Sequence, residues 1–250
     1  MRRSQWLLCA AAALMLGGCQ ATDTDDPPET SHGLKVEHAL GTTKVPGMAQ
    51  RPVALYPSEL DDAFALDAAP VGAAGVLPEY LSRRTKDART KLVGPISNPD
   101  LGRIAALNPD LILAGKQSQR RFYRRLKKIA PTVVIDQDVD WKPNLRQDGE
   151  ALGHTDFAEK LLSEYDFLAA KTRDLIRRRG QPKLPAAVRP GLSRPFVASI
   201  LDDVGVKHPK VRHGNVLGGV GPGPYDAWTL GMGYIAATRI LTDLQRFTGG

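Results

Sequence analysis

The sequence contains very little cysteine. Its 250 residues include two, Cys9 and Cys19, so no thiol lies anywhere from residue 20 onward. A folded body without cysteine can hold neither a disulfide nor a thiolate metal site. Its five histidines include no pair spaced four residues apart, as a zinc-binding helix requires. We therefore predict no metal site built by the protein itself.

Three motifs of nucleotide binding or catalysis are incomplete. Gly115-Lys116 follows an apolar run, but Asp110 stands where a phosphate loop needs its first glycine. The G-x-G-x-x-A run at 231–236 has no acidic partner about 20 residues later, so we interpret it as a tightly packed turn entering the last helix. The run at 191–195 lacks the second glycine of a nucleophile elbow. We expect no catalytic residues and no enzyme.

The N-terminus has the pattern of an export signal. Arg2-Arg3 precedes an uncharged, largely apolar stretch over 6–16, which is too short to span a bilayer. It ends in Leu16-Gly17-Gly18-Cys19, which resembles the lipobox of bacterial lipoprotein precursors. The resemblance implies that residues 1–18 are removed and that Cys19 carries a lipid, which anchors the protein to the extracytoplasmic face of the membrane. The alternative is an ordinary secretory signal with an incidental cysteine.

The charge of the chain is mildly basic. Residues 19–33 are rich in acidic residues and proline and predict a flexible leash. The formal charge of +7 becomes +5 without Arg2 and Arg3, with 32 basic against 27 acidic residues. Such a body suits an anionic ligand or an anionic membrane surface. Export makes nucleic acid an unsuitable partner.

From Pro52 onward, short apolar runs alternate with stretches of helical spacing. The predicted strands are 53–56, 71–74, 110–113 and 132–135. The predicted helices are 59–66, with Ser58 as N-cap, 99–107 and 119–129. This alternation predicts an α/β fold of parallel βα units, with ligands bound beyond the carboxyl ends of the strands.

A long helix is predicted over 155–179, capped by Thr155. Its apolar side chains recur at spacings of three and four: Phe157, Leu161, Tyr165, Leu168, Thr172 and Leu175. A helix of roughly 36 Å is longer than one small lobe needs, so it could bridge two lobes. Four prolines interrupt the segment that follows it, and a second globular section runs from Phe196 to Phe247.

Several collinear segments resemble the iron-siderophore (ferrichrome-type) family of ABC-transporter substrate-binding lipoproteins. They are Glu59 to Leu66 with Ala69 to Gly72, Asn98 to Leu101 with Leu107 to Leu113, Lys128 to Val134, Trp141 to Leu145, Ser199 to Gly205 and Trp228 to Ala237. The resemblance covers the chain from about Val36 to Phe247.

The resemblance implies a class III periplasmic-binding-protein fold, with two lobes joined by the long helix. The lobes would be 34–152 and 181–250, with the helix over 153–180. The second lobe is expected to be shortened, because family members usually have an extra stretch between Val206 and Pro209 and a further strand before Phe196. The implied function is capture of an Fe(III)-siderophore, of the hydroxamate type, by a monomer that delivers it to an ABC permease. Iron would travel within the ligand, so no cofactor is expected.

Candidate ligand-binding residues are chosen by their position after strands or in loops at the edge of a lobe. They are Tyr56, Lys116, Gln117, Arg120, Trp141, Arg194, Tyr225 and Trp228. Aromatic faces suit the apolar parts of a siderophore, and cations suit its iron-bound oxygens. Core packing is the alternative for Tyr56 and Trp141. A solvated helix face is the alternative for the basic run that begins at Arg120.

Docking to a permease would use one acidic residue on each lobe, and the matching segments place Asp61 and Asp202 nearest those positions. Either could instead be an acid favoured by the dipole at the start of a helix. One expected cation is missing or supplied elsewhere, because some hydroxamate binders carry an arginine where Ile96 stands. Two alternative functions stay open: binding of haem or cobalamin on the same fold, and a degenerate surface lipoprotein without a transport role.

Overall fold

The computed structural model describes residues 33–186, 195–208, 227 and 232–249, and its first element is a hairpin that the sequence analysis did not predict. Strands β1 (Leu34–His38) and β2 (Gly41–Val45) pair antiparallel. Gly41 has a φ of 126°, which favours glycine at this turn. The hairpin is held to the main sheet because the Thr43 hydroxyl donates to the carbonyl of Thr132 at 2.9 Å.

The predicted βα units form one parallel sheet. Its strands are β3 (Pro52–Ala54), β4 (Gly72–Ala73), β5 (Lys91–Leu92), β6 (Leu111–Gly115) and β7 (Thr132–Ile135). They lie in the order β5-β4-β3-β6-β7, and every neighbouring pair is parallel. The chain therefore builds outward from β3 on one side and then outward from β6 on the other. The α/β prediction is confirmed, and β5 is added to it.

Alternate side chains of the central strands enter two separate cores. In β6, Leu111 and Leu113 face the larger core, whereas Ile112 and Ala114 face the smaller one, and all four are fully buried. This period of two is the geometry of a strand that is covered on both faces. The unbroken apolar run over 111–114 is explained by burial on both sides.

Shorter helices follow the strands, and several differ from their predicted bounds. They are α1 (Pro57–Ala65), α2 (Glu79–Asp87), α3 (Leu101–Ala106), α4 (Lys116–Gln119), a 3-10 turn (Arg120–Phe122) and α5 (Tyr123–Leu126). Ser58 is not the N-cap of α1: Tyr56 occupies that position, Pro57 opens the helix, and the Ser58 hydroxyl bonds Glu59. The predicted helix over 119–129 is divided by the 3-10 turn.

Longer helices complete the fold on the side of the larger core. They are α6 (Trp141–Leu152), α7 (Thr155–Arg179), α8 (Pro195–Val204) and α9 (Tyr234–Gly249). The bounds of α7 agree with the prediction, although His154 and not Thr155 is its N-cap. Its buried side chains include Leu161, Tyr165 and Thr172, which lie on the predicted apolar face.

The long helix packs against its neighbours along its length. The Tyr165 hydroxyl donates to Asp203 of α8 at 2.7 Å, and Gln245 of α9 donates to the Thr172 hydroxyl at 2.8 Å. The described residues belong to one compact unit. The division into lobes at 34–152 and 181–250, with a linking helix over 153–180, and the shortening of the second lobe stay predictions.

Some predictions fall on residues that the structure does not describe. These are the signal and leash over 1–32, the lipid site Cys19, and the ligand candidates Arg194, Tyr225 and Trp228. Within the described ranges, no helix is both long enough and apolar enough to cross a membrane.

Candidate functional site

The site lies where the order of the sheet reverses. β3 and β6 are neighbours, and from this pair the chain adds strands in opposite directions. Loops diverge at the carboxyl ends of such a pair and leave a crevice in which α/β proteins bind ligands. Tyr56 follows β3 and Lys116 follows β6, so both stand at this crevice. Tyr56 is half-buried, and so is Lys116.

A buried glutamine fixes the loops around this crevice. Gln119 is 1% exposed, and its side-chain oxygen accepts a hydrogen bond from the Gly115 amide at 2.8 Å. Its side-chain nitrogen donates to the carbonyls of Leu55 at 3.1 Å and Ile96 at 2.8 Å. The side-chain amide of Gln119 thus joins the loop after β3, the loop after β5 and the end of β6. Gln119 is the first residue of the helix predicted over 119–129, and its sequence context indicates no role for it.

An open groove of about 710 Å³ lies beside these loops. We call it the basic groove. Its lining residues are Ser97, Gln117, Ser118, Arg120, Arg121, Tyr123 and Arg124. No hydrogen bond or ion pair joins the side chain of Arg120 or of Arg124 to another described residue, and both side chains are exposed. Two guanidinium groups are therefore available to an anion.

The third arginine of the basic groove lies beside the position where some hydroxamate binders have a cation. Arg121 donates to the carbonyl of Ser97, the residue after Ile96. The Ile96 side chain packs over Gly75, which has a φ of 94°. The Arg121 guanidinium therefore lies at the loop that follows β5.

A second, less polar cavity of about 420 Å³ lies between the sheet and the C-terminal helices. We call it the apolar cavity. Its lining residues are Ser58, Gln137, Asp138, Val139, Asp140, Trp141, Asn144, Pro195, Phe196, Ser199 and Met232. They come from α1, the loop after β7, α6, α8 and the residue pair before α9. The wall from α8 is fixed where the Ser199 hydroxyl donates to Asp140 at 3.2 Å.

Hydrogen bonds connect the two spaces. Gln117 of the basic groove donates through its side chain to Asp138 of the apolar cavity at 2.6 Å. Beside it, Lys116 forms an ion pair with Asp136 at 2.7 Å. The hydrogen bond from Lys116 lowers the pKa of Asp136 below its usual value. Lys116 is thus engaged by a carboxylate, and Gln117 is at the junction of the two spaces.

Trp141 is part of the core as well as of the cavity wall. Its side chain is 3% exposed, and its ring lies 4.7 Å from the ring of Tyr165 and 6.4 Å from those of Phe196 and Tyr234. Its indole nitrogen is buried and meets no acceptor among the described residues. A polar indole group beside a cavity could donate to a ligand there.

The two predicted docking acids have different environments. Asp202 is on the surface, with 75% of its side chain exposed and an oxygen 3.0 Å from the His208 ring. Asp61 is fully buried and accepts hydrogen bonds from the backbone of α9. This corrects the assignment of Asp61 to permease docking, because a carboxylate in the interior cannot contact a partner protein at the surface.

Several residues of the site were not singled out from the sequence. Arg121 and Arg124 lie in a basic run whose default interpretation is a solvated face, and only their position in the lining of the basic groove distinguishes them. Phe196 and Met232 carry no local signal, because they join the cavity through packing of α8 and of the segment just before α9. No group of three or more acidic, histidine or cysteine side chains within the described ranges could hold a metal ion.

Comparison with known proteins identifies the family of the chain. Residues 53–205 match the periplasmic binding protein family. The "Probable siderophore-binding lipoprotein YfiY" of Bacillus subtilis is 30% identical over 215 residues, which cover 80% of this chain and 65% of that protein. The "Petrobactin-binding protein YclQ" of the same species is 32% identical over 152 residues, covering 58% of this chain and 47% of that one.

A solved structure confirms the fold. Staphylococcus aureus SirA, crystallised with staphyloferrin B, superposes with a TM-score of 0.71 at 24% identity, over 86% of this chain and 98% of the SirA chain. The chain matches 65% of the length of YfiY and 59% of that of the B. subtilis lipoprotein YhfQ. From the family match over more than half of its length and from its class III α/β fold, the chain belongs to the periplasmic binding protein family.

Proposed function

We propose that the chain is the solute-binding component of an ABC importer, which captures an Fe(III)-siderophore and delivers it to a membrane permease. The observation that carries this proposal is the basic groove, with two free guanidiniums at the switch point of a periplasmic binding protein sheet. YfiY and YclQ are named for binding siderophores, which supports the same class of ligand. The proposal describes binding and not catalysis.

The chemistry of the two spaces fits the two parts of such a ligand. Iron-bound oxygens carry negative charge, and a guanidinium donates hydrogen bonds to them in a planar, two-point contact. The organic framework needs a less polar surface, which Trp141 and Phe196 offer in the apolar cavity. Iron would enter bound within its chelator, so the protein needs no resident cofactor. A ferric hydroxamate is the predicted subclass.

The ligand set is proposed residue by residue. Arg120 would contact the iron-bound oxygens, Gln117 would donate at the junction, and Trp141 and Tyr56 would line the apolar side. Lys116 would contact the ligand after its ion pair with Asp136 breaks. Arg194, Tyr225 and Trp228, outside the described residues, complete the proposed set.

The location and partners follow from the same function. A lipid on Cys19 would hold the protein at the membrane beside its permease, where a leash over 19–33 gives a high effective concentration. More than one acyl chain would make the anchoring stable. Asp202, exposed at the end of α8, is the proposed docking acid. The protein would act as a monomer.

Titration of tryptophan fluorescence tests the proposal. The purified protein, without its signal, is titrated with ferric hydroxamate, ferric catecholate and ferric citrate complexes, and separately with haem and cobalamin. We expect saturable quenching by a ferric siderophore at micromolar concentration. Binding of haem or cobalamin alone would support the alternative ligand class, and no quenching by any of them would refute ligand capture.

A matched pair of variants tests the basic groove. Arg120→Gln and Arg124→Gln should each weaken binding about tenfold, because each removes one charge-assisted contact. Arg125→Gln, which changes an exposed arginine outside the groove, should leave the affinity within about twofold. Equal effects at all three positions would indicate a general charge effect and would refute a specific site.

A further inference from the structure

Four buried acidic side chains lie beneath the apolar cavity. Glu59, Asp61 and Asp62 of α1 and Asp148 of α6 are all 0% exposed. Ser58 and Asn144, which line the cavity, precede Asp62 and Asp148 by four residues in the same two helices. Residues four apart lie one above the other on a helix, so Asp62 and Asp148 lie one turn below the cavity.

Asp61 is fully engaged as a hydrogen-bond acceptor. One of its oxygens accepts from the Ile235 amide at 2.6 Å. The other accepts from the Tyr80 hydroxyl at 2.7 Å and from the Ala236 amide at 3.2 Å. Since both oxygens accept, this carboxylate is best satisfied when it is ionised, and it binds the positive N-terminus of α9.

Only one of the two carboxylate oxygens of Asp62 accepts a hydrogen bond from a described residue. Its Oδ1 accepts from the Tyr234 amide at 2.8 Å, whereas its Oδ2 is buried and meets no donor among the described residues. Neither oxygen of Asp148 meets a donor there either. The two carboxyl groups lie close together between α1 and α6, which pack against each other, and two carboxyl groups can hydrogen-bond only when one of them carries a proton. We call Asp62 and Asp148 the acid pair.

We propose that the acid pair shares one proton at neutral pH, that this proton joins α1 to α6 beneath the apolar cavity, and that its loss in alkaline solution loosens the cavity wall. The inference concerns the protein without ligand and does not depend on which ligand the cavity accepts. The bond that forms is an O–H···O contact between the two carboxyls, and the proton leaves to solvent when it breaks.

The surrounding charges favour retention of the proton. Burial raises the pKa of Asp62 well above its usual value, and Asp148, Asp61 and Glu59 raise it further. Burial and Glu59 likewise raise the pKa of Asp148. A cation also acts on this cluster: the charge of Arg84 in α2 lowers the pKa of Asp61. A second ionisation would place two adjacent negative charges in a dry interior.

The sign of the pH dependence follows from linkage. The folded protein binds the shared proton more tightly than the unfolded chain does, so unfolding near neutral pH releases it. The contribution of the acid pair to stability is therefore fully present below the ordinary pKa of an aspartate and is lost as pH rises through the raised pKa of the pair. Burial also raises the pKa of Glu59 to about 7 and that of Asp61 to about 6, so these groups add to the same trend.

Infrared spectroscopy of the wild-type protein in D₂O tests the shared proton directly. We expect the band of a protonated, buried carboxyl group to persist at pH 8, where Glu59 is largely ionised. Asp148→Asn should remove the band, because the new amide donates to Asp62 in place of the proton. No band at pH 8 in the wild type, or the same band in the folded variant, would overturn the proposal.

Thermal unfolding between pH 5 and 9 tests its consequence. For each proton released, the wild-type midpoint should fall by roughly 3–5 °C per pH unit. Asp148→Asn should reduce this slope, whereas Asp67→Asn, at an exposed aspartate with a φ of 59° that asparagine tolerates, should not. Equal slopes in all three proteins would refute the proposal.

If Asp148→Asn does not fold, calorimetry of the wild type replaces this comparison. Unfolding in buffers of different ionisation enthalpy counts the protons that are released, and release of no proton at pH 8 would refute the proposal.

Discussion

The basic groove and the apolar cavity are neighbours, but they are assembled differently. The groove takes most of its lining from 117–124, a short stretch directly after β6. The cavity takes its lining from positions as far apart as Ser58 and Met232. The groove is therefore a property of one loop and its helix, whereas the cavity exists only where distant helices pack. Mutations should affect ligand binding in the first region and stability in the second.

The largest effect is expected in the wall of the apolar cavity. Trp141→Ala removes a side chain packed against Tyr165, Phe196 and Tyr234, and it should lower the free energy of unfolding by about 3–5 kcal/mol. Trp141→Phe should cost about 1–2 kcal/mol, because it keeps part of the packing. Urea denaturation measures both.

The matched control for this prediction is Phe167→Ala, which truncates an aromatic side chain that is 74% exposed on α7. It should change stability by no more than about 0.5 kcal/mol. A loss below about 1 kcal/mol for Trp141→Ala would show that the cavity wall does not depend on Trp141, and the contrast between the two regions would fail.

An intermediate effect is expected where the two regions meet the sheet. Gln119→Leu leaves the Gly115 amide and the carbonyls of Leu55 and Ile96 without their partner, and it should cost about 2–3 kcal/mol in urea denaturation. It should also weaken binding of any ligand that contacts these loops.

Gln117→Leu is the comparison for Gln119→Leu, because it removes an exposed glutamine two residues away. Its stability should stay within about 0.5 kcal/mol of the wild type. If the two leucine variants were equally stable, Gln119 would not hold the loops together.

The smallest effect is expected at the ion pair between Lys116 and Asp136. Both side chains are partly exposed, so the pair should contribute about 0.5 kcal/mol at neutral pH. The pKa of Asp136 is lowered, so this contribution is present above the ordinary aspartate pKa and is lost as pH falls through the lowered value.

NMR titration of the Asp136 carboxyl carbon in the wild type and in Lys116→Met measures this effect. In the variant, the pKa of Asp136 should return toward the ordinary aspartate value of about 3.9. An unchanged Asp136 titration would show that Lys116 is free for ligand in the resting protein.

Local patterns predicted the elements that are long or buried on both faces. Over 155–179, the apolar spacing agrees with α7 at both ends. The apolar runs over 110–113 and 132–135 correspond to β6 and β7. These predictions succeeded because a helix stripe or a fully buried strand imposes its period on the residues themselves.

Elements with weak periodicity were missed. β5 is two residues long, and both of its side chains are exposed, so no apolar pattern marks it. Much of α2 is charged, and it buries only Tyr80, Leu81 and Thr85. Such elements form because the strands and helices beside them provide hydrogen bonds and packing surface, which the local sequence does not encode.

The buried acidic residues show most clearly what the sequence determines and what the tertiary structure decides. The sequence by itself determined that α1 carries Glu59, Asp61 and Asp62 in a segment similar to that of siderophore-binding lipoproteins, and a surface role for Asp61 was the natural interpretation. Only the tertiary structure decided that Asp61 and Asp62 meet the N-terminus of α9 and that Asp62 faces Asp148. The reason is distance along the chain: periodicity acts over a few residues, whereas burial of a carboxyl depends on contacts between segments more than 80 residues apart.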